Sequence, residues 1–146
     1  MVKIKTTLTL LFVIAGAVIM ATSLSAAAPA PIPGLTAADE HPNGCVDCHQ
    51  NQGANKDYRI TTGLKNLKDV KHPDISKMVK NVPNDCKMCH KAGGKVPELA
   101  IVLHKAHFER GADNHFIAFY QGACLNCHKF TPATGVMSVK AAPANW

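Results

Sequence analysis

Cys45-Val-Asp-Cys48-His49, Cys86-Lys-Met-Cys89-His90 and Cys124-Leu-Asn-Cys127-His128 are the stretches that decide how this chain folds. They use all six cysteines. With eight histidines in 146 residues, a His would follow all three Cys-x-x-Cys pairs by chance in about one sequence in 6,000. The pattern is typical of c-type haem attachment, in which two thiols form thioethers to the haem vinyl groups and the His ligates the iron. The sequence therefore predicts three covalently attached c-type haems, each with its own proximal histidine.

Zinc binding and disulfide formation are the alternatives for these cysteines. Zinc prefers four Cys or His ligands in a closed tetrahedral set, whereas each motif offers three. An even number of cysteines in an exported chain permits disulfides, but disulfides do not explain why a His follows the second Cys every time. Both alternatives therefore rank below haem.

The N-terminus has the three parts of a secretory signal. Lys3 and Lys5 supply the basic region, Leu8 to Met20 the apolar stretch, and Ser23-Leu-Ser-Ala-Ala-Ala28 the small residues at the cleavage region. We predict a signal peptide over residues 1–27, cut after Ala27, and hence a periplasmic or extracellular protein.

A cut after Ser25 is the second choice for the cleavage site. An uncleaved membrane anchor is the alternative to cleavage, since residues 6–30 are mostly uncharged and long enough to span a bilayer. The strongly apolar part alone is short for a span, which favours the signal peptide.

The charge of the chain does not indicate a nucleic-acid partner. The formal net charge is +6, and loss of Lys3 and Lys5 with the signal leaves 14 − 10 = +4. Six haem propionates would bring the mature protein to about −2. The lysines are spread singly and no basic stripe with interleaved aromatics is present.

The rest of the chain divides around the motifs. Residues 28–38 form a Pro/Ala-rich leader, residues 39–130 the predicted trihaem cytochrome domain, and residues 131–146 a C-terminal tail without a readable period. The first cysteines of the motifs, at positions 45, 86 and 124, are 41 and 38 residues apart, as in a loose repeat.

The mature chain has few large apolar side chains with which to build a core, since aromatic residues make up only 5% of the full chain. Three haems would supply large apolar surfaces to pack against. We therefore predict a fold that is mostly coil, with a few short α-helices wrapped around a covalently bound haem array.

Two helices are predicted outside the motifs. Pro73 suits a first helical position before Asp74–Asn81, and Pro97 likewise precedes Glu98–Arg110, which Gly111 would end. Short helical turns are expected through each Cys-x-x-Cys-His, because the motif must bring two sulfurs and one imidazole to the same haem.

Histidines outside the motifs are the candidates for the second axial ligands. His104 and His107 lie three residues apart on a predicted helix, about 60° apart around its axis, so the pair can serve two adjacent haems. We predict a surface or propionate-binding role for His115. Because histidines are in surplus, methionine ligands are not needed. The five histidines outside the motifs are His41, His72, His104, His107 and His115.

From Glu40 to Lys129, the chain resembles the class III multihaem cytochromes c, particularly the small trihaem and tetrahaem periplasmic carriers and the haem domains of soluble fumarate reductases. The resemblance rests on the three motifs, on His104-x-x-His107 ahead of the last motif and on His41 ahead of the first. It implies low-spin haems with two histidine ligands, held in close contact and at low reduction potentials. The chain lacks the fourth motif of the tetrahaem proteins.

The resemblance also implies a pairing of ligands. By that similarity His104 ligates the second haem, opposite His90, and His107 ligates the third, opposite His128. Either His41 or His72 serves the first haem, opposite His49, and both stay open for this role.

The sequence thus predicts an electron carrier that is not an enzyme and that meets its redox protein partners in transient contacts. One alternative is a reductase of a small ligand such as nitrite, hydroxylamine or peroxide, with one open haem site. The other is a self-associating subunit of a haem-stacked polymer or of a membrane-associated electron-transfer complex, docking through the leader and the Trp146 tail.

Overall fold

A computed structural model describes residues 28–146 of the chain. Contacts divide the chain into Met1–Ala30 and Pro31–Trp146. The predicted signal peptide and most of the alternative membrane anchor lie outside the described residues. Among the described residues, no helix is both long enough and apolar enough to span a membrane.

The described chain is a small, mixed structure with 31% helix and 13% strand. More than half of it therefore lies outside both kinds of element, and the longest helix has only 10 residues. The two small sheets were not expected from the sequence, and the wrapping of the chain around haems stays a prediction. The α-helices are α1 (Cys45–Cys48), α2 (Ile60–Lys65), α3 (Leu99–Phe108) and α4 (His115–Tyr120); the 3₁₀ helices are Asn84–Met88, Gly111–Asp113 and Cys124–Asn126; the strands are β1 (Asn81–Val82), β2 (His128–Thr131), β3 (Val136–Val139) and β4 (Ala142–Pro143).

Each Cys-x-x-Cys-His motif contains a helical turn, as predicted. α1 holds the first pair of cysteines, and 3₁₀ helices hold residues of the second and third motifs. In the first two motifs, the backbone N–H of the histidine donates to the carbonyl of the first cysteine, at 2.9 Å for His49 and 3.0 Å for His90. This single turn brings the imidazole back towards the side of the helix that carries the thiols.

The predicted helix behind Pro97 is confirmed as α3, and it ends two residues earlier than expected. Glu109 is extended, and Arg110 has a positive φ of 73°, so the helix stops before Gly111. Buried Asn114 then joins α3 to α4. Its amide donates to the carbonyls of Ala106 (2.9 Å) and Glu109 (3.0 Å), and its side-chain oxygen caps α4 by accepting from the Phe116 N–H (3.0 Å).

The predicted helix over Asp74–Asn81 is wrong. One turn forms, in which the Ile75 carbonyl accepts from the N–H groups of Met78 (3.0 Å) and Val79 (2.9 Å). The Asp85 carboxylate then accepts from the N–H groups of Lys80 and Asn81, both at 2.8 Å. A continuing helix needs those two N–H groups for its own ladder, so the carboxylate ends the helix after one turn.

The C-terminal segment 131–146, for which the sequence predicted no element, contains two strands, β3 and β4. β2 and β3 form an antiparallel hairpin in which His128 lies opposite Val139. Its connection contains Gly135 at a φ of 67°, a left-handed conformation that suits glycine in a short hairpin loop. β4 returns to pair with β1.

Lys140, between β3 and β4, fastens the C-terminal segment to the first and third motifs. Its buried ammonium donates to the Asp39 carboxylate (2.7 Å), to the carbonyl of His41 (2.9 Å) and to the carbonyl of Leu125. Gly44, directly before α1, packs so closely that a Cβ there would lie 3.0 Å from the Cβ of Lys140. The chain directly ahead of the first motif is thereby tied to the third.

The apolar core of the described residues is small. Ile75, Val79 and Val82 form its buried cluster. The thiols of Cys45 and Cys86 pack against this cluster, together with partly buried side chains that include Trp146. The core therefore holds the first and second motifs side by side, although it is too small to order the whole chain by itself.

Candidate haem sites

The structure places each motif histidine opposite one histidine from outside the motifs. The ring centroids of His49 and His107 are 6.0 Å apart, those of His72 and His90 are 6.1 Å apart, and those of His104 and His128 are 6.1 Å apart. Six of the eight histidines thus form three pairs of nearly the same separation.

This separation fits an iron held between two imidazoles. A metal about 2.0 Å from each nitrogen places the two ring centroids about 6.4 Å apart, since each centroid lies about 1.2 Å behind its nitrogen. The observed values lie within about 0.4 Å of that distance. Aromatic rings in direct contact also have centroids about 4.5–7 Å apart, and His104 lies equally far from Phe108. The separation of the three pairs is therefore compatible with an iron between the rings.

Backbone carbonyls fix the protonation of most of these rings. The Nδ1–H of His49 donates to the carbonyl of Tyr58 (3.0 Å), and that of His90 donates to the carbonyl of Pro97 (2.8 Å). A carbonyl only accepts, so Nδ1 carries the proton and Nε2 keeps its lone pair for a metal.

Two histidines outside the motifs have the same arrangement. His72 donates from Nδ1 to the carbonyl of Pro73, and His107 donates to the carbonyl of Leu103, both at 2.8 Å. Burial lowers the pKa of His49, which favours its neutral, ligating form. Four of the six paired rings therefore carry their proton on Nδ1 and keep Nε2 free to bind a metal.

Helix α3 connects all three pairs. The N–H of Leu99 at its start donates to the carbonyl of His90 (3.1 Å). Further along the same helix, His104 faces His128 and His107 faces His49. Helix α3 therefore contacts the second motif through its own first residue, Leu99, and supplies a histidine partner to the first and third motifs.

The pairing of His104 and His107 differs from the one that the resemblance implied. His104 faces His128 and not His90, and His107 faces His49 and not His128. The N-terminal end of α3 docks on the second motif, so its later residues lie beyond the reach of His90. His72 takes that position instead, from the extended segment before the core.

His41 and His115 lie beside Tyr120 and face no motif histidine. The His41 and Tyr120 ring centroids are 6.2 Å apart, and those of His115 and Tyr120 are 5.8 Å apart. His115 also packs on Phe119 at 4.5 Å. Of the two candidates for the first haem, His41 is therefore not opposite His49, and neither is His72.

The cysteine thiols are free, and all six are unpaired by disulfides. Burial, together with repulsion from Cys127 and Cys86, raises the pKa of Cys45 to about 11. Burial likewise raises the pKa values of Cys48, Cys86 and Cys127. Cys45 is thus a neighbour of both other motifs.

Apolar and cationic surface surrounds the pairs. On α3, Ile101 is 62% exposed one turn before His104, and Phe108 lies beside His104 with ring centroids 6.1 Å apart. Such exposed apolar side chains suit the flat face of a porphyrin. A surface cavity of about 380 Å³ adjoins His72, and its lining includes Lys65, Lys68 and Lys71, which suit a carboxylate such as a haem propionate.

A zinc site fits this arrangement less well. Within residues 28–146, no three side chains of His, Cys, Asp or Glu converge as they would around a bare metal ion. A structural zinc needs four convergent ligands, whereas the histidines here face each other in separate pairs.

Comparison of the chain with protein families, with curated proteins and with solved structures finds no match. The residues and their geometry are therefore the basis for assigning a function.

Several residues of the sites were not foreseen from the sequence. A backbone carbonyl leaves no signal in its residue type, so the partners of the histidine rings could not be found. The sequence does not distinguish Lys140 from the other lysines. Asn114 did carry a signal, because Asn is a favoured residue directly before a helix. The carbonyls that accept from the histidine rings belong to Tyr58, Pro73, Pro97 and Leu103.

Proposed function

We propose that this chain is an exported trihaem c-type cytochrome that transfers electrons between redox partners. The observation that carries the proposal is the set of three facing histidine pairs, each joining one Cys-x-x-Cys-His histidine to one other histidine at 6.0–6.1 Å. Each haem, when bound, supplies a one-electron couple between ferric and ferrous iron.

The chain's own residues would bind and orient three such groups. The cysteine pairs of the motifs would hold the haems through thioethers, and the histidine pairs would be His49 with His107 for the first site, His90 with His72 for the second and His128 with His104 for the third. Two histidines at each site would leave no iron open to a small ligand, which favours a carrier over a reductase.

The spacing of His104 and His107 brings the first and third sites together. Two ligands three residues apart on one helix have Cβ atoms about 5–6 Å apart, so the groups that they ligate are neighbours. Helix α3 also contacts the second motif through Leu99 and Pro97. A rigid helix that touches all three sites keeps their spacing constant, which electron transfer between them requires.

The predicted signal peptide supports export to the periplasm or to the extracellular space, where c-type haem attachment takes place. Redox proteins are the proposed partners, meeting the carrier in small, transient contacts.

The test of the proposal is the intact mass of the protein purified from a host with c-type maturation. We expect the mass of residues 28–146 plus three haems, and a loss of one haem when both cysteines of a motif are replaced by alanine. The matched control is His115→Ala, which should keep all three haems. A mass without haem, or with bound zinc, would overturn the proposal.

A further inference from the structure

One histidine pair differs from the other two in the angle between its rings. The planes of His72 and His90 are 7° apart and those of His104 and His128 are 6° apart, whereas those of His49 and His107 are 86° apart. The separations of the three pairs are the same to within 0.1 Å. The difference therefore lies in rotation of the rings and not in their distance.

The perpendicular arrangement is held from both sides. The ring of His49 is tied to the Tyr58 carbonyl at 3.0 Å, and the ring of His107 to the Leu103 carbonyl at 2.8 Å, four residues earlier on its own helix. Phe116 also meets the ring of His107 nearly at right angles, at 82° with centroids 5.3 Å apart. The rings of Phe116 and His107 therefore contact each other edge to face.

Phe116 is itself fixed in place. Its backbone N–H donates to the buried Asn114 side chain, which also joins α3 to α4. Its ring packs at 78° on Phe108, with centroids 5.6 Å apart, and lies at 23° to Tyr120. These contacts hold the phenyl ring of Phe116 in a fixed position against His107.

Ring angle has a direct electronic consequence for a low-spin ferric haem with two imidazole ligands. Parallel ring planes act on the same iron d orbital and separate it in energy from its partner. Perpendicular planes act equally on both orbitals and leave them close in energy. The first case gives a rhombic electron paramagnetic resonance signal with three resolved g values, and the second gives a signal dominated by one large g value.

We propose that the His49–His107 site is electronically distinct from the other two, and that Phe116 is the positioning residue that holds its rings perpendicular. This inference rests on the proposed function, since it needs haem at all three sites. It adds that the three sites are of two kinds, one perpendicular and two parallel.

The experiment is low-temperature electron paramagnetic resonance of the oxidised, purified protein after its haem content has been measured by mass. We expect one large-g signal and two rhombic signals, with integrated intensities in the ratio one to two. In Phe116→Leu, we expect loss of the large-g signal and growth of a rhombic one, while the other two signals stay unchanged. Phe116→Met removes the ring in the same way and serves if the leucine variant does not accumulate.

Two controls separate positioning from a general structural role. Phe119 lies on the same helix as Phe116, but it is 73% exposed and packs on His115. The spectrum of Phe119→Leu should therefore match that of the native protein. Phe116→Tyr keeps the ring edge and should keep the large-g signal.

The outcomes distinguish this inference from the proposed function. Absence of haem by mass overturns both. Three haems with three rhombic signals overturn the electronic distinction and leave the carrier proposal intact. A large-g signal that persists in both ring-removing variants of Phe116 overturns the positioning role.

Discussion

Replacement of Lys140 by methionine should destabilise the protein strongly, because one buried ammonium joins three separate parts of the chain. The side chain is only 5% exposed and donates to Asp39, to the carbonyl of His41 and to the carbonyl of Leu125. Methionine keeps most of the apolar stem and removes the charge and all three donors. The acceptors then lie in the fold without their partner.

The size of the effect follows from the surroundings of each acceptor. Asp39 is 32% exposed and can be hydrated. Loss of its ion pair with Lys140 therefore lowers the free energy of unfolding by only about 0.5–1 kcal/mol. Each carbonyl that loses its charged donor costs about 1–3 kcal/mol. Part of this is offset because methionine carries no charge into the interior. We expect the free energy of unfolding to fall by about 2–4 kcal/mol.

The assay is guanidinium unfolding of the haem-loaded protein, followed by far-ultraviolet circular dichroism. The matched control is Lys129→Met, the same substitution at an exposed position in the same hairpin, which should change stability by less than about 0.5 kcal/mol. Equal stabilities of the two variants would refute the reasoning.

The pH dependence gives a second check on the same contact. The hydrogen bond from Lys140 lowers the pKa of Asp39 from its usual 3.8. A carboxyl whose pKa is depressed in the folded state contributes stability above its unfolded pKa, and this contribution is lost as the pH falls through the folded pKa. The stability difference between the native protein and Lys140→Met should therefore narrow below about pH 4.

Two further substitutions have expected outcomes. His72→Ala should open the second site, so that carbon monoxide shifts the spectrum of one site in three, or about a third of the reduced haem. In the control variant His41→Ala, carbon monoxide should shift none of the haem spectrum. Equal shifts in both variants would contradict the pairing of His72 with His90. Gly44→Ala should lower the free energy of unfolding by about 1–2 kcal/mol, because Gly44 has a φ of 61° and its new Cβ would meet Lys140 at 3.0 Å. Gly63→Ala, in a helix with open space around it, should be neutral or stabilising in the same unfolding experiment, and a similar loss there would remove the steric explanation.

The parts of the fold that depend on local signals were predicted correctly. Pro97 and the residues that follow it carry the start signal and the apolar content of a helix, and α3 forms there. The motifs form helical turns because the spacing of two thiols and a neighbouring imidazole requires one. In both cases, the determining contacts lie within a few residues of each other.

The parts that failed depend on contacts between distant residues. Asp74–Asn81 has the apolar spacing of a helix, but the Asp85 carboxylate takes the N–H groups that would have continued it. The sequence did not predict the C-terminal strands. β4 forms only through its pairing with β1, about 60 residues earlier in the chain. The local sequence pattern shows neither the competition from the Asp85 carboxylate nor the pairing of β4 with β1.

The structure places the candidate second ligands differently from the pairing that the resemblance implied. The sequence identified His104 and His107 as a pair on one helix face but did not fix which motif each would meet. That depends on where α3 docks, and the docking is set by the contacts of Leu99 and Pro97 with His90. The sequence left both His41 and His72 open for the first site, and the fold turns the ring of His41 towards Tyr120.

The most direct test of the central claim is the visible spectrum of the dithionite-reduced protein before and after addition of carbon monoxide. Three haems with both axial positions filled by the histidine pairs should give sharp low-spin bands that the gas does not move. A carbon monoxide shift in the native protein would contradict the pairing at one or more sites and favour a reductase with an open haem. Absence of haem bands would contradict the account as a whole.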